Sequence, residues 1–263
     1  MPELSEVEIF RRNLERWWSG RVASDVRVVD PDVFDGPAAG AAPEILTRQA
    51  SSIRRRGKYI LIALEPHVAV LHLRMTGKVV RAERPDTRFA RVSWFVPDVG
   101  WLTFKDPRRL GGLLFMRAEE LADYTPLKTM GPEPHDLDGL GLLKRLGGRR
   151  RLKDKLLDQK TLAGVGNIAI SELFWRLSIP PEIRCHEVTE ELADALAHEM
   201  PRYFDWLTEE QLSEEIAYVH EPGSDNPFSV YGREGEPCPR CAGTIARATF
   251  GNRSTYYCPQ CQS

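Results

Sequence analysis

Proline at position 2 followed by glutamate at position 3 puts a secondary amine beside a carboxylate once Met1 is removed. Methionine aminopeptidase removes Met1 readily when the second residue is small, so a free Pro2 amine is expected. A secondary amine attacks a carbonyl-like carbon, such as C1′ of a sugar, and forms a charged iminium. This is covalent catalysis that needs no general base to strip a hydroxyl. The same residues also read as an ordinary helix start, with Pro2 at an N1-type position and Glu3 and Glu6 favouring a helix N-terminus. With Met1 retained, the Pro2 nitrogen is an unreactive amide.

A second chemistry lies near the other end. Cys238 and Cys241 form one C-x-x-C pair, and sixteen residues later Cys258 and Cys261 form another. Two such knuckles at this separation are the pattern of one tetrahedral four-cysteine Zn2+ site on a β-hairpin. The tail is too short to build its own core, so the zinc is expected to be structural and to hold it together. Cys185 is left over and reads as a buried, inert thiol. Between the knuckles, Arg253 sits where a hairpin tip is expected. A guanidinium fork there suits a phosphate oxygen, although a solvent-exposed turn arginine reads the same way.

Several further positions could meet phosphate. The Gly-rich turn Leu162–Ile168 opens a helix and presents backbone N–H groups suited to an anion. Asn167 within it also reads as a simple N-cap, and no preceding strand supports a dinucleotide fold. The basic run Arg54-Arg55-Arg56-Gly57-Lys58 leads into an apolar strand, putting Lys58 at the strand mouth. His72-Leu73-Arg74-Met75-Thr76-Gly77 closes another strand with a turn. Asp106-Pro107-Arg108-Arg109-Leu110-Gly111 is a further turn with paired arginines. Met75 and Leu110, taken singly, read as incidental apolar residues.

These groups need positioning elements. Val7, Phe10, Leu14 and Trp17 recur at helical spacing and predict a helix over 3–18. From Val22 to about Arg117 short β-rich runs follow, at 59–64, 68–73, 91–96, 101–104 and 113–116, which predicts a sheet sandwich. Residues 36–43 read as a flexible insertion and 124–139 as a linker. Helical patterns then cover 139–146, 152–159, 167–177, 188–199 and 208–216, and the polar stretch 221–227 reads as a mobile loop. The fold class is therefore α+β: an N-terminal helix with a β-sandwich (1–122), a linker (123–138), a helical domain (139–228) and a cysteine hairpin (229–263).

The net charge of −2 argues against nucleic acid, but its distribution does not. Residues 186–225 carry twelve acidic side chains and one basic, Arg202. Basic residues gather instead at 54–58, at 144–160 (Lys153 included) and in the last thirty positions, which can build a positive face on an acidic chain. No apolar run reaches the ~18 residues of a membrane span, and no secretory signal pattern is present. Together with cysteines paired for metal, this predicts a cytoplasmic protein.

Taken together, the segments Pro2–Glu8, Arg55–Tyr59, His72–Gly77, Asp106–Gly111, Leu156–Gln159, Gly164–Asn167 and Val230–Cys238 resemble the formamidopyrimidine-DNA glycosylase/endonuclease VIII family across nearly the whole chain. Leu4 and the Asp-Pro-Arg-Arg element are closer to the formamidopyrimidine branch. The resemblance implies a base-excision-repair glycosylase with AP lyase activity, followed by β,δ-elimination, and a helix–two-turns–helix motif in the helical domain. Pro2 becomes the nucleophile, Glu3 the general acid/base, and Lys58 the third member of the catalytic group, holding a phosphate by the lesion. His72, Lys153, Asn167, Arg253 and Arg109 become DNA contacts. Met75, Arg108 and Leu110 become the side chains that fill the gap left by an extruded nucleotide, Arg108 facing the orphaned base.

Three departures stand out. Ser5 replaces the family's usual second proline, Leu110 its usual wedge phenylalanine, and Ala169 a common tyrosine, while the 221–226 loop is short. They leave room for a lyase acting on oxidised pyrimidines, abasic sites or bulky adducts. A zinc-ribbon protein that binds damage without cutting is the non-enzymatic alternative. The expected partner is damaged double-stranded DNA, without membrane, and a monomer suits a protein that clasps one duplex.

Overall fold

The computed structural model describes residues 2–85, 87–219, 221, 224–250 and 252–263. Met1, Pro222 and Gly223, on which the processing and mobile-loop expectations partly rest, lie outside them. The chain divides into two compact units, Met1–Thr129 with Thr208–Ile216, and Met130–Leu207 with Ala217–Ser263.

The first unit opens with helix α1 (Leu4–Trp18), where Leu4, Val7, Phe10, Leu14, Trp17 and Trp18 are buried along one side. This is the apolar stripe that the 3.6-residue period creates. Strands β1 (Asp25–Val28), β2 (Phe34–Asp35), β3 (Ser52–Arg56), β4 (Tyr59–Leu64), β5 (His67–His72), β6 (Lys78–Ala82), β7 (Ala90–Val96), β8 (Gly100–Lys105) and β9 (Gly112–Arg117) follow, with short helices α2 (Ala42–Leu46) and α3 (Thr125–Lys128). They form a four-stranded sheet, β1-β7-β8-β6, and a five-stranded sheet, β2-β9-β5-β4-β3. All pairs are antiparallel except β2 with β9. The run predicted at 59–64 is β4 itself, and the other four predicted strands move by no more than one residue at either end. In β4, Ile60, Ile62 and Leu64 are fully buried while Tyr59, Leu61 and Ala63 are not, the period-two pattern of a half-buried strand.

The stretch 36–43 is not a flexible insertion. The Ala38 N–H donates to the Phe115 carbonyl, and Gly36, at φ 88°, lies so close to β9 that an added Cβ would sit 2.5 Å from the Phe115 oxygen. Only glycine satisfies both the backbone angle and that approach.

The second unit holds α4 (Gly139–Arg145), α5 (Leu152–Leu156), α6 (Asn167–Arg176), the long α7 (Glu190–Glu210) and the hairpin β10 (Ala246–Phe250) with β11 (Arg253–Tyr257). Two helices were expected at 188–199 and 208–216, but α7 is a single helix that runs through Pro201. Proline removes one backbone bond and costs about 3 kcal/mol inside a helix. The buried stripe Ala193, Leu196, Ala197, Met200, Tyr203, Phe204 and Leu207 continues unbroken past it and offsets that cost. Beyond Glu210 the 208–216 segment turns instead of continuing as helix.

The expected linker is also pinned: the Gly131 N–H donates to the Gln159 carbonyl, and a Cβ there would meet the Thr161 oxygen at 2.5 Å. Helical region and cysteine hairpin share one unit, whereas Thr208–Ile216 groups with the first.

Candidate active site

Pro2 and Glu3 are both buried at the entry to α1. Glu3 is the N-cap, and a capping box joins it to Glu6: the Glu3 N–H donates to Glu6 Oε2 at 2.9 Å, and the Glu6 N–H meets the Glu3 carboxylate. Two carboxylates therefore share one buried helix start. Burial, and then the neighbouring Glu3 charge, push the Glu6 carboxyl above the ordinary carboxylate range. Such a pair is suited to dividing proton donor from acceptor.

The next turn of α1 fixes where this pair points. Glu8 bonds Arg11 and Arg12 within the helix and Arg55 of β3 at 3.3 Å. Burial opposes ionisation of Glu8, but these guanidinium bonds, Arg11 first, hold its carboxyl below the usual range. On the far side, the Trp18 ring meets Trp94 of β7 at 5.2 Å, so α1 touches both sheets. Two residues beyond Arg55, Gly57 and Lys58 make the β3–β4 turn, and Lys58 is nearly buried at 9% exposure.

His72 ends β5 opposite Tyr59, their rings 4.5 Å apart. Its Nδ1 accepts the Arg74 N–H at 2.9 Å. Burial, then the Arg74 and Lys58 charges, lower its pKa to about 4, so the ring is neutral at pH 7 and offers Nε2–H as a donor. With Tyr59, Tyr124, Arg74, Arg109 and Leu110 it lines a cavity of about 190 Å³.

This burial has a pH consequence. Between pH 4 and 6.5 the unfolded chain binds a proton at His72 that the folded protein does not. Stability therefore rises with pH through that window; the contribution is complete above it and lost as pH falls towards 4. The urea midpoint of His72→Gln, compared with the parent, should depend less on pH between 4 and 6.5; equal slopes would refute the assignment.

The two expected wedge turns are joined by one residue. Asp106 is 1% exposed; its carboxylate accepts the Thr76 hydroxyl and the N–H groups of Arg108 (3.1 Å), Leu110 (2.7 Å) and Gly111 (2.7 Å). Met75 and Leu110 stand out from these turns at 37% and 49% exposure, and Arg108 is exposed. Arg109 folds back to Asp30 at 3.1 Å, and Asp30 also pairs with the buried Arg91 at 2.6 Å.

In the second unit, α5 and α6 are the helices of the helix–two-turns–helix motif. The Gln159 side chain ties the intervening turns, accepting the Gly164 N–H at 2.9 Å and donating to the carbonyls of Leu157 and Val165. α6 then opens at Asn167. The Asn167 amide donates to the Ser254 carbonyl at 2.9 Å, and Lys153 donates to the same oxygen at 3.1 Å and to the Thr255 hydroxyl. Both helices thus grip the strand residue next to Arg253, which is itself exposed. The Lys153 side chain is 0% exposed, with its ammonium turned into the hairpin.

The four sulfurs of Cys238, Cys241, Cys258 and Cys261 lie within 4.8 Å of one another, a tetrahedral cage for one structural zinc. Cys238 accepts the Arg240 N–H and the Trp175 indole N–H, each at 3.4 Å. Burial opposes ionisation of the Cys238 thiol, but these donors lower its pKa to about 6. Metal binding by such a site is worth on the order of 10 kcal/mol, so chelation should unfold the hairpin and abolish duplex binding, with zinc restoring both. Circular dichroism and fluorescence anisotropy would follow this; binding that survives complete zinc loss would contradict it. Cys185 is buried, and burial raises its pKa, as expected of an inert thiol.

Glu6, Asp106, Gln159 and Ser254 were not anticipated as site supports. Local signals existed for two of them, the E-x-x-E spacing of a capping box and an aspartate opening a turn before proline. Gln159 acts within its own turns, two to six residues away, whereas Ser254 acts over distance and leaves no local mark.

Three family models match: the formamidopyrimidine-DNA glycosylase N-terminal domain over residues 1–113, its H2TH domain over 130–205, and the zinc finger found in FPG and IleRS over 235–263. The formamidopyrimidine-DNA glycosylase of Bacillus subtilis (strain 168) is 33% identical, covering 100% of this chain and 99% of the relative. A Lactococcus lactis FPG variant, solved with a Fapy-dG containing DNA, superposes with a TM-score of 0.86 at 28% identity over 100% of both chains. MutM (FPG) from Thermus thermophilus gives 0.82 at 32% identity, covering 99% of this chain and 98% of that one. With its buried Pro2-Glu3 helix start, helix–two-turns–helix motif and zinc hairpin, the chain belongs to the formamidopyrimidine-DNA glycosylase family and is a base-excision-repair DNA glycosylase/AP lyase.

Proposed function

We propose that the Pro2 amine, freed by removal of Met1, attacks C1′ of a damaged purine nucleotide, with ring-opened and 8-oxidised purines preferred. The new N–C1′ bond replaces the glycosidic bond, the base leaves with a proton, and sugar-ring opening gives the iminium. Glu3 delivers and collects these protons beside Glu6. Loss of the C2′ proton then expels the 3′ phosphate, and δ-elimination expels the 5′ phosphate. The observation that carries this reading is the buried Pro2-Glu3-Glu6 cluster at the N-cap of α1.

Lys58 and the neutral His72 hold phosphates in the first unit, and Asn167, the α6 N-terminus and Arg253 hold them in the second. Met75, Arg108 and Leu110 enter the duplex. Lys153 acts as a positioning residue for the Arg253 strand, supported by its bonds to Ser254 and Thr255. The protein works as a monomer on chromosomal DNA in the cytoplasm, where a reducing milieu keeps the four thiols available for zinc.

Borohydride trapping on duplexes carrying formamidopyrimidine, 8-oxoguanine, an oxidised pyrimidine or an abasic site tests this. The expected result is a covalent adduct with both purine lesions and the abasic site, lost for the most part in Pro2→Gly without loss of duplex affinity. No adduct from Met1-processed protein would overturn the mechanism. An adduct strongest with oxidised pyrimidine would overturn the purine preference.

A further inference from the structure

Phe89 is an exposed aromatic residue in a conformation that aromatic residues avoid. It is 48% exposed, with φ at 60°, just before β7. A left-handed backbone is a true outlier for a bulky side chain, and outliers of this kind gather at functional sites. Its carbonyl accepts the Asp106 N–H at 3.0 Å, and the Arg88 guanidinium lies 5.1 Å from its ring centre.

Asp106 therefore anchors three turns, each presenting one exposed apolar side chain: Met75, Leu110 and Phe89. The backbone repeats a pattern as well. Arg74 (φ 54°) directly precedes Met75, Arg109 (φ 52°) directly precedes Leu110, and Phe89 is itself the left-handed residue. Of the three tips, only Phe89 has a π-face. An extruded nucleotide exposes the faces of neighbouring bases, and an aromatic ring stacks on any base. Leu110 fills volume without stacking.

Resting on the glycosylase reading above, we propose that Phe89 stacks on a nucleobase of the opened duplex and supplies the aromatic contact that Leu110 lacks. Its Arg88 neighbour adds positive charge to the same tip, which suits a polyanion.

The test compares Phe89→Ala, Phe89→Leu and Phe89→Trp by anisotropy on a duplex with a tetrahydrofuran abasic analogue, with 2-aminopurine opposite the gap reporting stacking. Alanine keeps the Cβ but removes the bulk that makes the left-handed backbone unfavourable, so the melting temperature should not fall. Phe89→Ala and Phe89→Leu should both weaken binding about tenfold and relieve part of the 2-aminopurine quenching, whereas Phe89→Trp restores both. The slope of affinity against salt should stay constant, because no phosphate contact is removed. Parental binding by Phe89→Ala, full rescue by leucine, or a fall in melting temperature that accounts for the loss would each overturn the proposal. Borohydride trapping by the unsubstituted protein separates the two readings. Its absence removes the glycosylase mechanism, while its presence with parental binding by Phe89→Ala removes the stacking role alone.

Discussion

Glu3→Gln should excise damaged bases about 10²–10⁴-fold more slowly than the parent while folding and binding duplex normally, the range that positioned proton transfer contributes. The substitution separates two duties of one side chain. As the N-cap of α1, Glu3 needs only an acceptor oxygen, and a glutamine amide supplies one at the same reach. As a proton carrier it needs a carboxyl, which glutamine does not have. The site is 4% exposed, so bulk water is a poor substitute. Removing the Glu3 charge also lets Glu6 fall back part of the way toward the ordinary range, because that charge is the second cause of its elevation after burial. Single-turnover excision on an 8-oxoguanine duplex measures the effect, with melting temperature and anisotropy as controls. An unchanged excision rate would remove Glu3 from proton transfer.

Glu172→Ala should destabilise the second unit by about 3–5 kcal/mol, because each buried donor left without its acceptor costs about 1–3 kcal/mol. Glu172 is 1% exposed and its carboxylate accepts three consecutive backbone N–H groups, Ser229 at 2.8 Å and Val230 and Tyr231 at 2.9 Å each. Bonds to a charged group contribute roughly 1.5–3 kcal/mol each, and alanine leaves all three donors unmet. Whole-domain stability is only about 5–15 kcal/mol, so the loss is a large share. Val230 packs with Cys238, Ile245 and Cys258, so loosening the 229–231 turn also loosens the zinc cluster. Urea unfolding, followed with a zinc-release dye, should show an earlier midpoint with metal escaping in the same transition. A parental midpoint would mean that the three bonds are replaced by water at no cost.

The features legible in the chain are those governed by short-range period and spacing. The alternation at 59–64 specifies β4, the helical spacing of Val7, Phe10, Leu14 and Trp17 specifies α1, and the two C-x-x-C pairs specify the zinc cage. Each depends on residues a few positions apart, or on a metal that only that donor set satisfies. Readings failed where a distant partner outweighed a local signal. The segments 188–199 and 208–216 read as two helices, but the buried stripe on either side of Pro201 carries α7 through it. Residues 36–43 read as flexible, but a close approach to β9 pins them.

Residue types and spacings alone therefore determined the fold class, the zinc site, the family resemblance and the candidate chemistry at Pro2 and Glu3. Tertiary structure decided what each candidate does. It turned Lys153 inward to Ser254, paired Arg109 with Asp30, made His72 neutral, and gathered the turns of Met75, Phe89 and Leu110 around Asp106. Burial and hydrogen-bond closure between residues far apart in sequence set these outcomes, and no local pattern encodes them.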